Sequence, residues 1–354
     1  MDPDATRLAQ QFYHGPFTLS NLYHTFYRPA RNQTPEWGFG HSKGYDRLPE
    51  SRALRDLIDE LRPQLVVPLH NATTIDAYLV MRGRIFEGLP TALEELFRRR
   101  GIVLDPAHVD VLGYDRLPAA ASYAMPDFRT DPDLPSAKPV SSLHVAIEAN
   151  PGALAFYSEV PMFRAVDSPR RRLRRLALSE YGREIQDVIE RIRSDNAILR
   201  AMVHQIDHKV LSWSQEALLA AVLDMLAIND SISTEFFVTL VDLRERWGPA
   251  DVDDLATSVD VRSMWNSVYM VTLRAAGMLR RLLIERGSST EEVDRFIQAR
   301  LAEFEERFPV EPNSRRVVVS LQIDTILLAA EAIARNSLQN DTPTTHTQDV
   351  GFTS

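Results

Sequence analysis

Two kinds of apolar patterning divide the chain. Up to about residue 165, apolar residues come in short runs among prolines, glycines and aromatics. From Ser51 to Leu61, the residues Ala53, Leu54, Leu57, Ile58 and Leu61 fall at the three-and-four spacing of one helical stripe. Pro49 suits the first turn of that helix, Glu50 complements its dipole, and Pro63 ends it. Leu65-Val66-Val67-Pro68-Leu69 has the pattern of a strand buried on both faces, with Pro68, which has no N–H for the ladder, near its end. A second helix is expected over Thr91 to Arg100, closed by Gly101, and a further strand over Leu154 to Val160, closed by Pro161. Helices alternating with apolar strands imply an open α/β sheet.

The second half reads as all-helical. Ser168-Pro169 supplies an N-cap followed by a proline at the first helical position. Amphipathic stretches follow over residues 173–210, 215–228, 233–246, 261–286, 290–308 and 320–337. Gly287 is placed to end one of these helices, and Ser289 with Glu292 forms a capping box for the next. The organisation expected is therefore an α/β domain over 1–165, a helical domain over 168–338 and a disordered tail over 339–354. That tail carries Thr, Gln, Asp and Pro and few large apolar residues.

Charge and composition narrow the functional classes. Forty basic against 49 acidic residues leave a net charge of −9, so no basic excess exists to hold a nucleic-acid backbone. The absence of cysteine excludes thiol catalysis, Cys-zinc sites, iron–sulfur clusters and disulfides, so any metal must be held by His and carboxylates. The start, Met1-Asp2-Pro3-Asp4, lacks the basic and apolar regions of a signal peptide. The strongest apolar stretch, Leu218 to Ile228, is interrupted by Asp224 and predicts no membrane span. A cytoplasmic protein is expected, with neither nucleic acid nor membrane as partner.

Two residues stand where α/β sheets place ligands, outside the carboxyl ends of strands. His70 follows the Leu65–Leu69 run, and Glu159 comes near the end of the Leu154–Val160 run. An imidazole and a carboxylate on neighbouring strand ends suit a metal ligand beside a general base. A histidine at a strand end is more often only hydrogen-bonded, and pattern alone does not decide between the two.

Wider context adds a resemblance. Asp2-Pro3-Asp4-Ala5 resembles the Asn/Asp-Pro-Asp-Gly turn of carboxypeptidase A-like zinc carboxypeptidases. Gly15-Pro16-Phe17-Thr18, Phe26-Tyr27-Arg28-Pro29, Glu36-Trp37, Leu48-Pro49-Glu50-Ser51-Arg52-Ala53-Leu54, Arg62-Pro63, Leu69-His70-Asn71 and Ser158-Glu159-Val160-Pro161-Met162-Phe163 look like a bacterial branch of that family, in order over about 160 residues. The helical half is similar to a C-terminal extension in that branch. The resemblance implies part of a carboxypeptidase-like mixed sheet with flanking helices, and a zinc-activated water that hydrolyses the C-terminal bond of a peptide or small amide. By position it makes His70 the downstream zinc ligand and Glu159 the general base. Arg28 becomes the candidate contact to the substrate carboxylate or scissile carbonyl, Asn21 a second candidate, and Tyr123 the tyrosine of the pocket. The family carries a His-x-x-Glu zinc pair upstream of the Pro-Asp-Gly turn, where this sequence starts, and none of the nine histidines has Glu three residues later. An N-terminally incomplete zinc site is thus expected, with zinc retention open and sheet edges exposed for self-association. The alternative is a non-enzymatic helical interaction protein on a peptidase-like scaffold.

Three other features have plainer readings. His204-Gln205-Ile206-Asp207-His208 places two imidazoles one helical turn apart, as a metal pair would, yet also fits a solvated helix face. The basic run from Arg170 to Arg175 reads as a charged helix face. Met264, Trp265, Tyr269, Met270 and Leu273 read as core.

Overall fold

The computed structural model describes residues 14–30, 48–72, 74–104, 114–119, 121–126, 141–166, 175–176, 178–206, 211–246 and 256–340. Five strands, β1 (Leu65–Val66), β3 (Tyr78–Gly83), β4 (Asp115–Arg116), β5 (Ser122–Ala124) and β6 (Leu154–Glu159), form a mixed sheet. Their order across it is β1-β6-β3-β5-β4. β6 runs parallel to β1 and antiparallel to β3, while β3 runs parallel to β5. The centre is therefore β3, whose Tyr-Leu-Val-Met run is buried on both faces.

The run expected to be a strand buried on both faces is instead an edge. β1 has two residues, both half-buried, and Leu69 is exposed. Its shortness has a local reason: Pro68 has no N–H to extend the ladder, so pairing stops after Val66. β3 ends at Gly83, where φ is +85° and a Cβ would lie 2.4 Å from the Ala153 carbonyl oxygen.

Helices cover both faces of the sheet. α2 (Pro49–Leu61) and α4 (Ser142–Ala149) bury Ile58, Leu143 and Ala146 against Tyr78, Val80, Tyr123 and Ala155. α2 starts on Pro49 as expected, but of its apolar stripe Leu57 and Leu61 stay exposed. α3 (Leu89–Arg99) covers the opposite face, with Leu93 and Phe97 packed among Leu79, Met81, Leu154 and Phe156. It is joined there by α9 (Arg315–Asn340), which contributes Val318, Leu321 and Ala329 from the far end of the chain.

The helical half comprises α5 (Leu178–His204), α6 (Trp213–Arg246), α7 (Ser258–Glu285) and α8 (Glu291–Arg307), around a large apolar core that includes Met264, Trp265, Tyr269 and Leu273. Several boundaries differ from the sequence reading. The two helices expected over 215–246 are one continuous helix, and Arg175–Leu176 forms β8, paired with β9 (Ala256–Thr257), instead of joining a helix. The N-cap of α8 is Thr290, not Ser289. Trp213–Thr234, which contains the 218–228 stretch, and Arg315–Asn336 are each long and apolar enough to cross a membrane by length and composition. Ser168-Pro169, residues 170–174 of the basic run and the tail beyond 340 lie outside the described residues.

Polar groups fix the register of the helices. Asn229 donates to the Asn196 side chain at 3.0 Å, and Asn196 donates to the Leu226 carbonyl and to Asp230, tying α5 to α6. Asp195, fully buried, accepts from Nε and a terminal nitrogen of Arg300 at 2.9–3.1 Å, tying α5 to α8. Burial pushes the Asp195 carboxyl above its usual range, and the Arg300 hydrogen bonds and charge oppose that push.

The two halves exchange elements. α1 (Leu19–His24) lies against α7 and α8, its Tyr23 carbonyl resting where a Cβ on Gly277 would come within 1.9 Å. In return, β10 (Val310–Pro312) adds to β7 (Phe163–Ala165), which also pairs with β2 (Thr74–Ile75) in a three-stranded sheet. Gly→Ala inside a helix ordinarily stabilises by about 0.5–1 kcal/mol. Here Gly277→Ala is expected to destabilise by about 1–3 kcal/mol through overpacking against Tyr23, measured by urea unfolding. Arg300→Met, which strands a buried carboxylate, is expected to cost about 3–5 kcal/mol in the same experiment. Arg295→Met, removing an exposed pair with Glu291, should change stability by less than about 1 kcal/mol.

Candidate functional site

Beyond Val66 the chain leaves the ladder through Val67, Pro68 and Leu69 and returns at His70, which forms an isolated parallel bridge with Glu159. That bridge sits at the carboxyl ends of the parallel pair β1 and β6. The backbone pairing delivers the two side chains to each other: His70 Nδ1 lies 3.0 Å from Glu159 Oε1. The imidazole stacks on Tyr157 with 4.4 Å between ring centroids and a 19° tilt. Tyr157 in turn meets Tyr78 edge to face. The His70 and Glu159 side chains keep 19% and 15% of their surface exposed, so the pair is largely withdrawn from water without being sealed.

The turn is held from behind by α9. Gln322 Nε2 donates to the His70 carbonyl at 2.8 Å and to the Asn71 side-chain oxygen at 2.9 Å. A carboxylate accepting from Nδ1–H selects one imidazole tautomer and aims Nε2 away from the acid, the arrangement that orients histidines in proton transfer and in metal ligation. Glu159 therefore commits one oxygen to His70 itself, rather than to a water between the two.

The other expected residues stand on separate elements. Tyr123 on β5 pairs with Val80 and belongs to the same sheet face as Tyr78 and Tyr157, with β3 lying between its strand and β6. Asn21 is in α1, its side chain packed where a Cβ on Gly15 would stand. Arg28 follows Tyr27, in a segment that α7 holds: the Arg281 guanidinium lies over the Tyr27 ring, and Arg280 and Arg281 donate to the His24 and Thr25 carbonyls. Contacts with the helical core thus help to position the Asn21–Arg28 segment, and His70 and Glu159 meet on the sheet.

Among the described residues no group of three or more His, Asp or Glu is arranged to hold a metal ion. One imidazole and one carboxylate already bonded to each other do not make the three-ligand zinc site of a hydrolase. His204 closes α5, while Asp207 and His208 of the second candidate pair lie outside the described residues. Comparisons with family models, with curated proteins and with solved structures find no match.

Two contributors to the site were not anticipated from sequence. Tyr157 was legible, since strand periodicity puts it on the Glu159 face. Gln322 was not, because 252 residues separate it from His70. In its uncharged form the His70 imidazole is expected to carry its proton on Nδ1, and Glu159→Ala should release that tautomer. Nitrogen-15 NMR of the imidazole reads the change directly.

Proposed function

We propose that this chain is a carboxypeptidase A-like hydrolase domain that acts on the C-terminal peptide or amide bond of its substrate at the His70–Glu159 end of the sheet. The observation supporting this reading is the direct contact between His70 and Glu159 at adjacent strand ends of a mixed sheet. These are two of the residues that the resemblance puts in one site. Glu159 orients the imidazole, Tyr157 and Gln322 hold it still, and an imidazole so held is suited to take a proton from water or to ligate a metal through Nε2. A hydrolytic zinc, which would act as Lewis acid and water activator, needs ligands in addition to those found among the described residues.

The experiment is release of the C-terminal residue from blocked peptides by zinc-supplemented protein, with metal content measured in parallel. Zinc-dependent release is expected, falling by at least about 100-fold in His70→Ala and Glu159→Ala. A wild-type chain that neither takes up zinc nor releases the terminal residue would overturn the hydrolase reading.

One observation favours a second reading, a non-enzymatic interaction protein on a peptidase-like scaffold. The helix that braces the His70 turn, α9, turns an exposed apolar row of Val319, Ile323 and Leu327 outward. A chain inert towards peptides and zinc that nevertheless associates through this row would favour it.

A further inference from the structure

Helix α9 is apolar on two opposite sides. Val318, Leu321, Thr325 and Ala329 are buried towards α3 and the sheet. On the other side Val319, Ile323 and Leu327 are 53%, 50% and 56% exposed. Their spacing of four residues keeps them in one stripe. Only 28% of the most apolar window of Arg315–Asn336 is buried. A helix with apolar residues on both sides is ordinarily covered on both, so such a stripe marks a contact surface.

We propose that this stripe is the docking surface for a second copy of the chain, with the two α9 helices antiparallel about a two-fold axis near Ile323. Charge selects this occupant and this direction. Arg316 and Glu331, both exposed, flank the stripe seven residues before and eight after Ile323. An antiparallel two-fold brings Arg316 of each copy to Glu331 of the other, twice, and sets Val319 opposite Leu327. A parallel pair would oppose like charges instead. Glu331 already pairs with Arg335 one turn on, but that pair is solvent-exposed and contributes little, so exchanging it costs little. Ala330 and Ala334, also exposed, extend the stripe with small side chains that let the helices approach.

A lipid surface is the competing occupant. An acidic chain whose stripe lacks a basic cluster is poorly matched to anionic headgroups. The stripe from Arg316 to Glu331 is about 23 Å long at 1.5 Å per residue, so a contact confined to it is a short one. Association is therefore concentration-dependent. The proposal does not rest on the hydrolase reading.

Sedimentation velocity of the full chain over a concentration series tests it. The wild type is expected to show a monomer–dimer equilibrium, and Ile323→Glu, with helical circular dichroism unchanged, to raise the dissociation constant by at least about tenfold. Arg316→Glu alone should weaken the dimer severalfold, and combining it with Glu331→Arg should restore it. These two charge variants decide the outcome should Ile323→Glu fail to fold. A wild-type monomer throughout the series, a dimer indifferent to Ile323→Glu, or no rescue by the charge exchange overturns the proposal. So does Ile323-dependent cosedimentation with phosphatidylcholine or phosphatidylserine vesicles in place of dimer formation.

Discussion

The pairing of β6 on both its edges is the constraint on which the rest of the α/β half depends. With β3 antiparallel along one side and β1 parallel on the other, the strand is held inside the sheet, and both its faces can be given to packing. Leu154 and Phe156 enter one core, and Ala155 with Tyr157 the other. Glu159 is the last residue in this series. Its position beside His70 therefore follows from register: a slip of one residue would carry Tyr157 and Glu159 to the opposite face and separate the pair.

The helical half and the sheet are not simply placed side by side. α1 and its following segment are committed to the helical core by Tyr23, Phe26 and Tyr27, whereas β10 and α9 return to the sheet after α8. Asn313 marks the return, donating from its side chain to the Pro161 carbonyl and from its backbone to the Met162 carbonyl. α9 then covers one sheet face and braces the turn that carries His70. Stability of the candidate site is thereby linked to an element 252 residues away in sequence.

The two cores are specified by different means. In the sheet, apolar residues on alternating faces and a few buried acceptors suffice, such as Glu94, which takes hydrogen bonds from Ala121 N–H and the Ser122 hydroxyl. Apolar burial is non-directional, so helices packed through it alone can slide. The Asp195–Arg300 pair and the Asn196–Asn229 bonds are directional and define one alignment of α5, α6 and α8.

Local chemistry could be read from the chain alone. Pro49 starts α2, Gly101 and Gly287 terminate helices with positive φ, and Leu154 to Glu159 is a strand, because each depends on neighbours within a few residues. Strand-end placement also pointed to His70 and Glu159. Tertiary structure alone decided the remainder. It made Tyr78–Gly83 the centre and Leu65–Val66 an edge, and it put Gln322 behind His70 while setting Tyr27 under Arg281 of the helical half. It also left one side of α9 open to solvent. An apolar run has the same signature whichever neighbour buries it, and a hydrogen bond across 252 residues leaves no periodicity, so partner choice is settled only when the whole chain packs.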